Sequence, residues 1–194
     1  MELVHPQSSR MAQAHGTLTP GHLGATLNPL SILAKPHPVP IAMGTVSVLP
    51  AFTERTALLG ACVVVVLRCH QLVAVARYEL PGPPTRRTLR SCWFSQQALE
   101  MLEYKFSFFN LPWAETKAEL YGGGAPLPSL ASEGPVGARN VAAARAWLRS
   151  RGLRIQHEDV GGKAHRLLVL RDGLGFCTPL PPSGSMPGGG AAAA

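Results

Sequence analysis

Five or six short strands and two helical stretches predict an α+β layered domain. Three observations carry that expectation. Residues 62–67 form a continuous apolar, mostly β-branched run. Residues 92–106 and 141–151 carry apolar side chains at helical spacing. A 46% hydrophobic share over 194 residues supplies one core and calls for no second.

Taken in order, residues 1–38 scatter Pro, His, Gly and Ser without a sustained period and read as a disordered or over-called extension, since Met11 and Met43 lie downstream. Residues 41–48 are rich in β-formers and predict the first strand. Cys62-Val63-Val64-Val65-Val66-Leu67 suits a central strand covered on both faces. The polar break at residues 68–71 and the apolar residues 72–78 predict a hairpin, stopped by the prolines of 81–84.

Trp93, Phe94, Leu99, Leu102 and Phe106, with Gln, Glu and Lys between them, predict a helix lying on the sheet. Residues 117–121 make a short strand ending at Gly122-Gly123-Gly124, where backbone can approach backbone or ligand closely. An alanine-rich helix over 141–151 is bracketed by Asn140 as N-cap and Gly152 past its end. Residues 154–158 and 166–170 read as paired strands around a turn at 159–162. The Pro/Gly/Ala run of 179–194 reads as a disordered tail, so the folded domain is expected over 39–178.

The formal charge of +7 favours an acidic partner only if the arginines form one patch. They divide between Arg86, Arg87 and Arg90 and a helical series from Arg139 to Arg154, which reads as a solvated surface. With sparse aromatics and no recognised motif, nucleic-acid binding is not expected. Cys62, Cys69, Cys92 and Cys177 form no CxxC pair and no zinc spacing, so free thiols in a reducing cytoplasm fit, with no metal or cofactor. No apolar run approaches 18 residues and no signal peptide is evident, so neither membrane insertion nor export is expected.

Five short segments, in order, resemble one family. Thr56-Ala57-Leu58-Leu59-Gly60-Ala61-Cys62-Val63 is similar to a threonine followed by Leu-Gly-Ser-Cys-Val; Tyr78-Glu79-Leu80-Pro81 resembles the end of His-x-Met-Leu-Pro. Ala118 to Gly124 is close to Ala-Lys-x-x-Gly-Gly-Ala, Val136-Gly137-Ala138-Arg139-Asn140 to Ile-Gly-x-Arg-Asn, and Glu158 to Gly162 to Asp-x-Gly-Gly. These are motifs of the CheD family of chemoreceptor glutamine deamidases. The resemblance spans residues 41–172 and implies a mixed-sheet α/β sandwich cysteine hydrolase in the cytoplasm. It further implies methyl-accepting chemotaxis receptors as substrates and a CheC-type phosphatase as partner.

Deamidation needs a nucleophile for the amide carbon, a base for its proton, a donor for departing ammonia, and N–H groups for the oxyanion. By the resemblance, Cys62 is the nucleophile and Thr56 the orienting hydroxyl, though the residues alone also allow a buried apolar cysteine and a turn threonine. The family's histidine falls on Arg77. A guanidinium beside a thiol favours the thiolate electrostatically, yet it stays protonated and has no lone pair with which to take a proton.

His70, in the expected hairpin loop, and His165, beyond Gly161-Gly162, are the candidate substitutes, each also readable as a surface residue. His5, His15, His22 and His37 lie in the extension without metal-ligand spacing. Ala61 stands where the family has serine, and Phe94-Ser95-Gln96 where it has Tyr-x-Asp. The alternative to an active enzyme is a catalytically impaired module that keeps the fold and binds receptors or the phosphatase.

Overall fold

The computed structural model describes residues 38–84, 92–126 and 134–181. The arginines at 86, 87 and 90, the four N-terminal histidines and residues 182–194 lie outside this set. Two sheets and two helices make three layers, an α+β arrangement as the residue pattern predicts. One sheet has the order β2 (Thr45–Pro50), β5 (Leu72–Tyr78), β4 (Val63–Cys69), β6 (Lys117–Gly122), β7 (Ile155–Val160). The other runs β1 (Val39–Pro40), β3 (Arg55–Leu59), β8 (Arg166–Arg171), β9 (Leu174–Pro179).

β4 is the centre of the five-stranded sheet, and Val63 to Leu67 are all 0% exposed. Side chains alternate across a strand, so this run must serve two cores. Val63, Val65 and Leu67, joined by Ala74, Ala76 and Tyr78, pack against α1 (Ser95–Phe108) and α2 (Val136–Ser150). Val64 and Val66, with Val73, Val75 and Tyr121, face Ala57, Leu59, Leu168 and Leu170 of the second sheet. Each of these Val and Leu side chains stabilises the fold by roughly 1.5–3 kcal/mol relative to exposure. The helices contribute one stripe each: Ala98, Leu99, Leu102 and Phe106 from α1, and Gly137, Val141, Ala144 and Leu148 from α2.

The β4–β5 hairpin forms as expected, pairing Val63 with Tyr78 and Cys69 with Leu72. Elsewhere the chain departs from the residue pattern. Residues 41–48 are not one strand, because Gly44, at φ +68°, turns the chain from the β1 side of one sheet to β2 of the other. Residues 154–158 and 166–170 do not pair. β7 lies parallel to β6 with α2 as the crossover that a parallel pair requires, and the chain then leaves for β8. Gly161 and Gly162, both at positive φ, make that change of sheet. β3 and β9 were not anticipated, since each is short and half exposed, with little apolar alternation.

Asn140 is not an N-cap. α2 begins at Val136, so Asn140 sits on the helix's second turn and is 0% exposed. The helical arginines engage partners: Arg145 Nε donates to Glu158 at 2.8 Å, while Arg151 pairs with Glu103 and lies over the Trp147 ring. Such contacts fit a solvated helix face. No described helix is long and apolar enough to cross a membrane.

Two buried phenols mark the cores. Tyr78 Oη donates to the Asn140 carbonyl at 2.8 Å, and Tyr121 Oη to Glu119 at 2.7 Å. Burial pushes both above the ordinary tyrosine range, aided at Tyr121 by the Glu119 hydrogen bond and charge. Burial, then Asp159, pushes the Cys177 thiol up to about 12. All three are acids whose folded-state values are raised, so their contribution to stability is present below the unfolded values and lost as pH rises through the alkaline range. Unfolding free energy measured by urea titration is therefore expected to fall steadily above pH 9. The tyrosinate absorbance of Tyr78 and Tyr121 is expected to appear only as the fold is lost. Titration of both phenols in the folded protein would contradict this.

Candidate active site

Cys62 lies in the loop joining β3, in one sheet, to β4, at the centre of the other. The loop is held on its inner side by hydrogen bonds to three successive carbonyls. Gly124 N–H donates to Gly60 O at 2.7 Å, Asn140 Nδ2 to Ala61 O at 3.1 Å, and Gly123 N–H to Cys62 O at 2.8 Å. The glycines at 122–124 permit this closeness. A Cβ on Gly122, at φ +98°, would run into the Cys62 carbonyl, and one on Gly123 into Val141 and Gly137. On α2, a Cβ at Gly137 would meet the carbonyls of Gly123 and Gly124.

The Cys62 side chain joins the core between the sheets and is 5% exposed. Its Sγ lies 3.8 Å from Leu58 O and 3.7 Å from Arg77 Nη2. Arg77 is on β5 in the same alternation as Val73 and Val75, so it points into the space between the sheets. Its Nη1 donates to Ile41 O at 2.5 Å and its Nη2 to Leu58 O at 2.7 Å. Two carbonyls thus fix a cation beside the thiol, closing one end of the interlayer space.

Thr56 is on β3, where alternation sets it on the face opposite the core residues Ala57 and Leu59. Its carbonyl accepts from Ile41 N–H at 2.7 Å, and Ile41 O in turn accepts from Arg77. Thr56 and Arg77 are therefore linked through the backbone N–H and C=O of Ile41. Among the described residues, the Thr56 hydroxyl has no hydrogen-bond partner.

The structure separates the two candidate histidines. His70 occupies the β4–β5 turn at φ +52°, 3.4 Å from Glu115, at the opposite end of β4 from Cys62. Seven residues of strand at about 3.3 Å each put roughly 20 Å between them. His165 is exposed, but a Cβ at Gly60 would lie 3.2 Å from its ring, so it borders the Cys62 loop from the β8 side. Among the described residues, no histidine hydrogen-bonds to Cys62. No group of three or more potential metal ligands occurs among them either.

Asn140, Gly137, Ile41 and Leu58 shape this site without having been singled out for it. The first two fall within the Val136–Asn140 motif, whereas the last two act through backbone carbonyls and leave no signature in residue type.

The family model described as CheD chemotactic sensory transduction matches residues 80–173, beginning just after β5. A Halalkalibacterium halodurans protein named chemoreceptor glutamine deamidase CheD is 32% identical over 138 residues, 67% of this chain and 85% of that one. The chain belongs to the CheD family. Within CheD proteins the likeness extends to Geobacter sulfurreducens, 33% identical over 120 residues, 61% of this chain and 73% of its relative. It reaches Methanococcus maripaludis, 28% identical over 132 residues, 67% and 86% of the two chains. The last two are named "Probable chemoreceptor glutamine deamidase CheD", the Geobacter protein as number 2. The CheD match by the family model lies downstream of Cys62 and Arg77, covering both helices and the Gly122–Gly124 strap.

Proposed function

We propose that this protein is a protein-glutamine deamidase acting on the cytoplasmic portions of methyl-accepting chemotaxis receptors, with Cys62 as nucleophile. The observation that carries this reading is the strapped loop that presents Cys62 at a strand start between the two sheets, beside a fixed cation. The names of its CheD relatives supply the substrate class.

In the reaction, Cys62 Sγ attacks the side-chain amide carbon of a receptor glutamine. The carbonyl π pair moves to oxygen; its return breaks the C–N bond, and ammonia leaves with the proton it needs. Water then cleaves the thioester to give glutamate and restores the thiol, so one water is consumed for each ammonia released. Arg77 lies 3.7 Å from Sγ and holds positive charge where the thiolate forms. It neither takes the thiol proton nor readily supplies one to the amine, so solvent carries those transfers and turnover is slow. Thr56 supports Arg77 through the Ile41 backbone in place of orienting an imidazole.

Ammonia release from purified receptor cytoplasmic fragments, coupled to glutamate dehydrogenase, tests the reading. The wild type is expected to exceed Cys62→Ala, with the modified glutamines gaining one mass unit. Turnover no greater than that of Cys62→Ala would overturn it.

The position of Arg77 favours a second reading: a docking module that binds receptors or a CheC-type phosphatase with little turnover. Co-sedimentation that survives Cys62→Ala, together with the absence of ammonia release, would favour it.

A further inference from the structure

The hydrogen bonds beneath the Cys62 loop have a consequence for the amides on its other side. A trans peptide unit is planar, with its N–H antiparallel to its C=O. The Gly60 carbonyl is drawn toward Gly124 N–H and the Ala61 carbonyl toward Asn140 Nδ2. The N–H groups in those same units, of Ala61 and Cys62, must therefore aim away from α2 and from the glycine strap. Neither donates to a described residue. In contrast, Gly123 and Gly124 N–H are consumed by the loop itself, and Gly161 N–H by Gly122 O at 2.9 Å.

Asn140 is 0% exposed and its Nδ2 also donates to Glu79 O at 2.5 Å, so one buried amide group ties the Cys62 loop to the segment after β5. Its own carbonyl accepts from Tyr78 Oη, which holds this turn of α2 against the sheet. Its Oδ1 is buried without a partner, so what the side chain contributes here is its two donors. Asparagine is matched to that task, because a carboxylate offers no donor to either carbonyl and a hydroxyl only one.

We infer that the backbone N–H groups of Cys62 and Ala61 form the oxyanion hole of this site, and that Asn140 is the positioning residue that holds the Ala61–Cys62 peptide in the outward-facing orientation, while Gly124 N–H holds the Gly60–Ala61 peptide. The inference rests on Cys62 acting as the nucleophile proposed above. A carbon bonded to Sγ brings its oxygen near the nucleophile's own amide, so these donors meet the oxygen as charge develops on it. Rotation of the Ala61–Cys62 peptide would turn the donor away and put a carbonyl in its place. The Asn140 bond to Ala61 O opposes that rotation.

The test compares two reagents at Cys62, followed by mass spectrometry of the intact protein and its peptides. Acylation by p-nitrophenyl acetate passes through a tetrahedral oxyanion: Sγ–C forms, and collapse expels p-nitrophenolate. Alkylation by iodoacetamide displaces iodide directly, with no oxyanion. The wild-type ratio of acylation to alkylation is expected to exceed that of a short cysteine peptide by on the order of 10²-fold, the usual effect of one such donor. In Asn140→Ala, acylation is expected to fall about 10- to 100-fold while alkylation changes less than about threefold.

A wild-type ratio equal to that of the peptide would overturn the inference. So would parallel loss of both rates in a folded Asn140→Ala, or a thiol that neither reagent reaches. The wild-type ratio decides the hole even where Asn140→Ala does not fold, and Asn140→Gln, which keeps both donors, is expected to recover part of the acylation. Acylation with the predicted ratio but no ammonia from receptors would leave the oxyanion hole standing and remove the deamidase reading.

Discussion

Arg77→His is expected to raise ammonia release from receptor fragments by about 10²- to 10⁴-fold, the usual contribution of a positioned general acid–base. Arg77 lies on the interlayer face of β5 and directs its side chain at Cys62, with a terminal nitrogen 3.7 Å from Sγ. What it lacks is a lone pair. An imidazole at this position can accept the thiol proton and return it to the leaving amine, and its ordinary value near 6.5 makes that exchange available at neutral pH.

The exchange also removes the cation that bridges Ile41 O and Leu58 O, so some stability is lost alongside the gain in rate. A thermal melt on the same preparation separates the two effects. In the histidine variant, kcat/KM is expected to fall as pH drops below that of the free imidazole, a limb the wild type lacks. An Arg77→His protein that stays folded and releases ammonia no faster than the wild type would contradict the role assigned to this position.

The second large effect is structural. Gly137→Ala is expected to destabilise the protein by roughly 3 kcal/mol or more, because the added Cβ meets two backbone carbonyls that have no flexible side-chain end to give way. On a chain of this size that corresponds to a fall in Tm on the order of 10 °C. The carbonyls concerned belong to Gly123 and Gly124, whose N–H groups hold Cys62 O and Gly60 O. Movement of α2 away from the strap therefore propagates to the Cys62 loop, and Cys62 acylation should decline in whatever fraction folds. A melting temperature within a degree or two of the wild type would show that the strap tolerates displacement.

Much of this architecture was legible from residues alone. The β-branched run beginning at Val63 needs cover on both faces, and it obtained helices on one side and a second sheet on the other. The helices were visible as periodic stripes, although their first turns were not. α1 starts at Ser95 rather than 92, and α2 at Val136 rather than 141, five residues early, because Gly137 and Asn140 look like helix breakers or caps until something packs against them.

The pairing of residues 154–158 departs from the sequence pattern for a related reason. Neighbouring strands in sequence pair by default across a glycine turn, but the exposed edge of β6 and the length of α2 made the parallel β6–α2–β7 unit available. The short, half-exposed strands β3 and β9 lacked a pattern strong enough to announce them.

At the site, the family resemblance, and not residue type, singled out Cys62, Thr56 and Arg77. Residue pattern alone determined the layered α+β class and the two-faced central strand, and the resemblance pointed to Cys62 as candidate nucleophile with Arg77 at the position of the family's histidine. Only the tertiary structure decided that Arg77 reaches the thiol while His70 stands at the far end of the same strand, and that Thr56 connects to Arg77 through the Ile41 backbone. It alone placed Asn140 under the Cys62 loop. Those relations run through backbone carbonyls and amides, which every residue carries alike, so their directions exist only once the chain has folded.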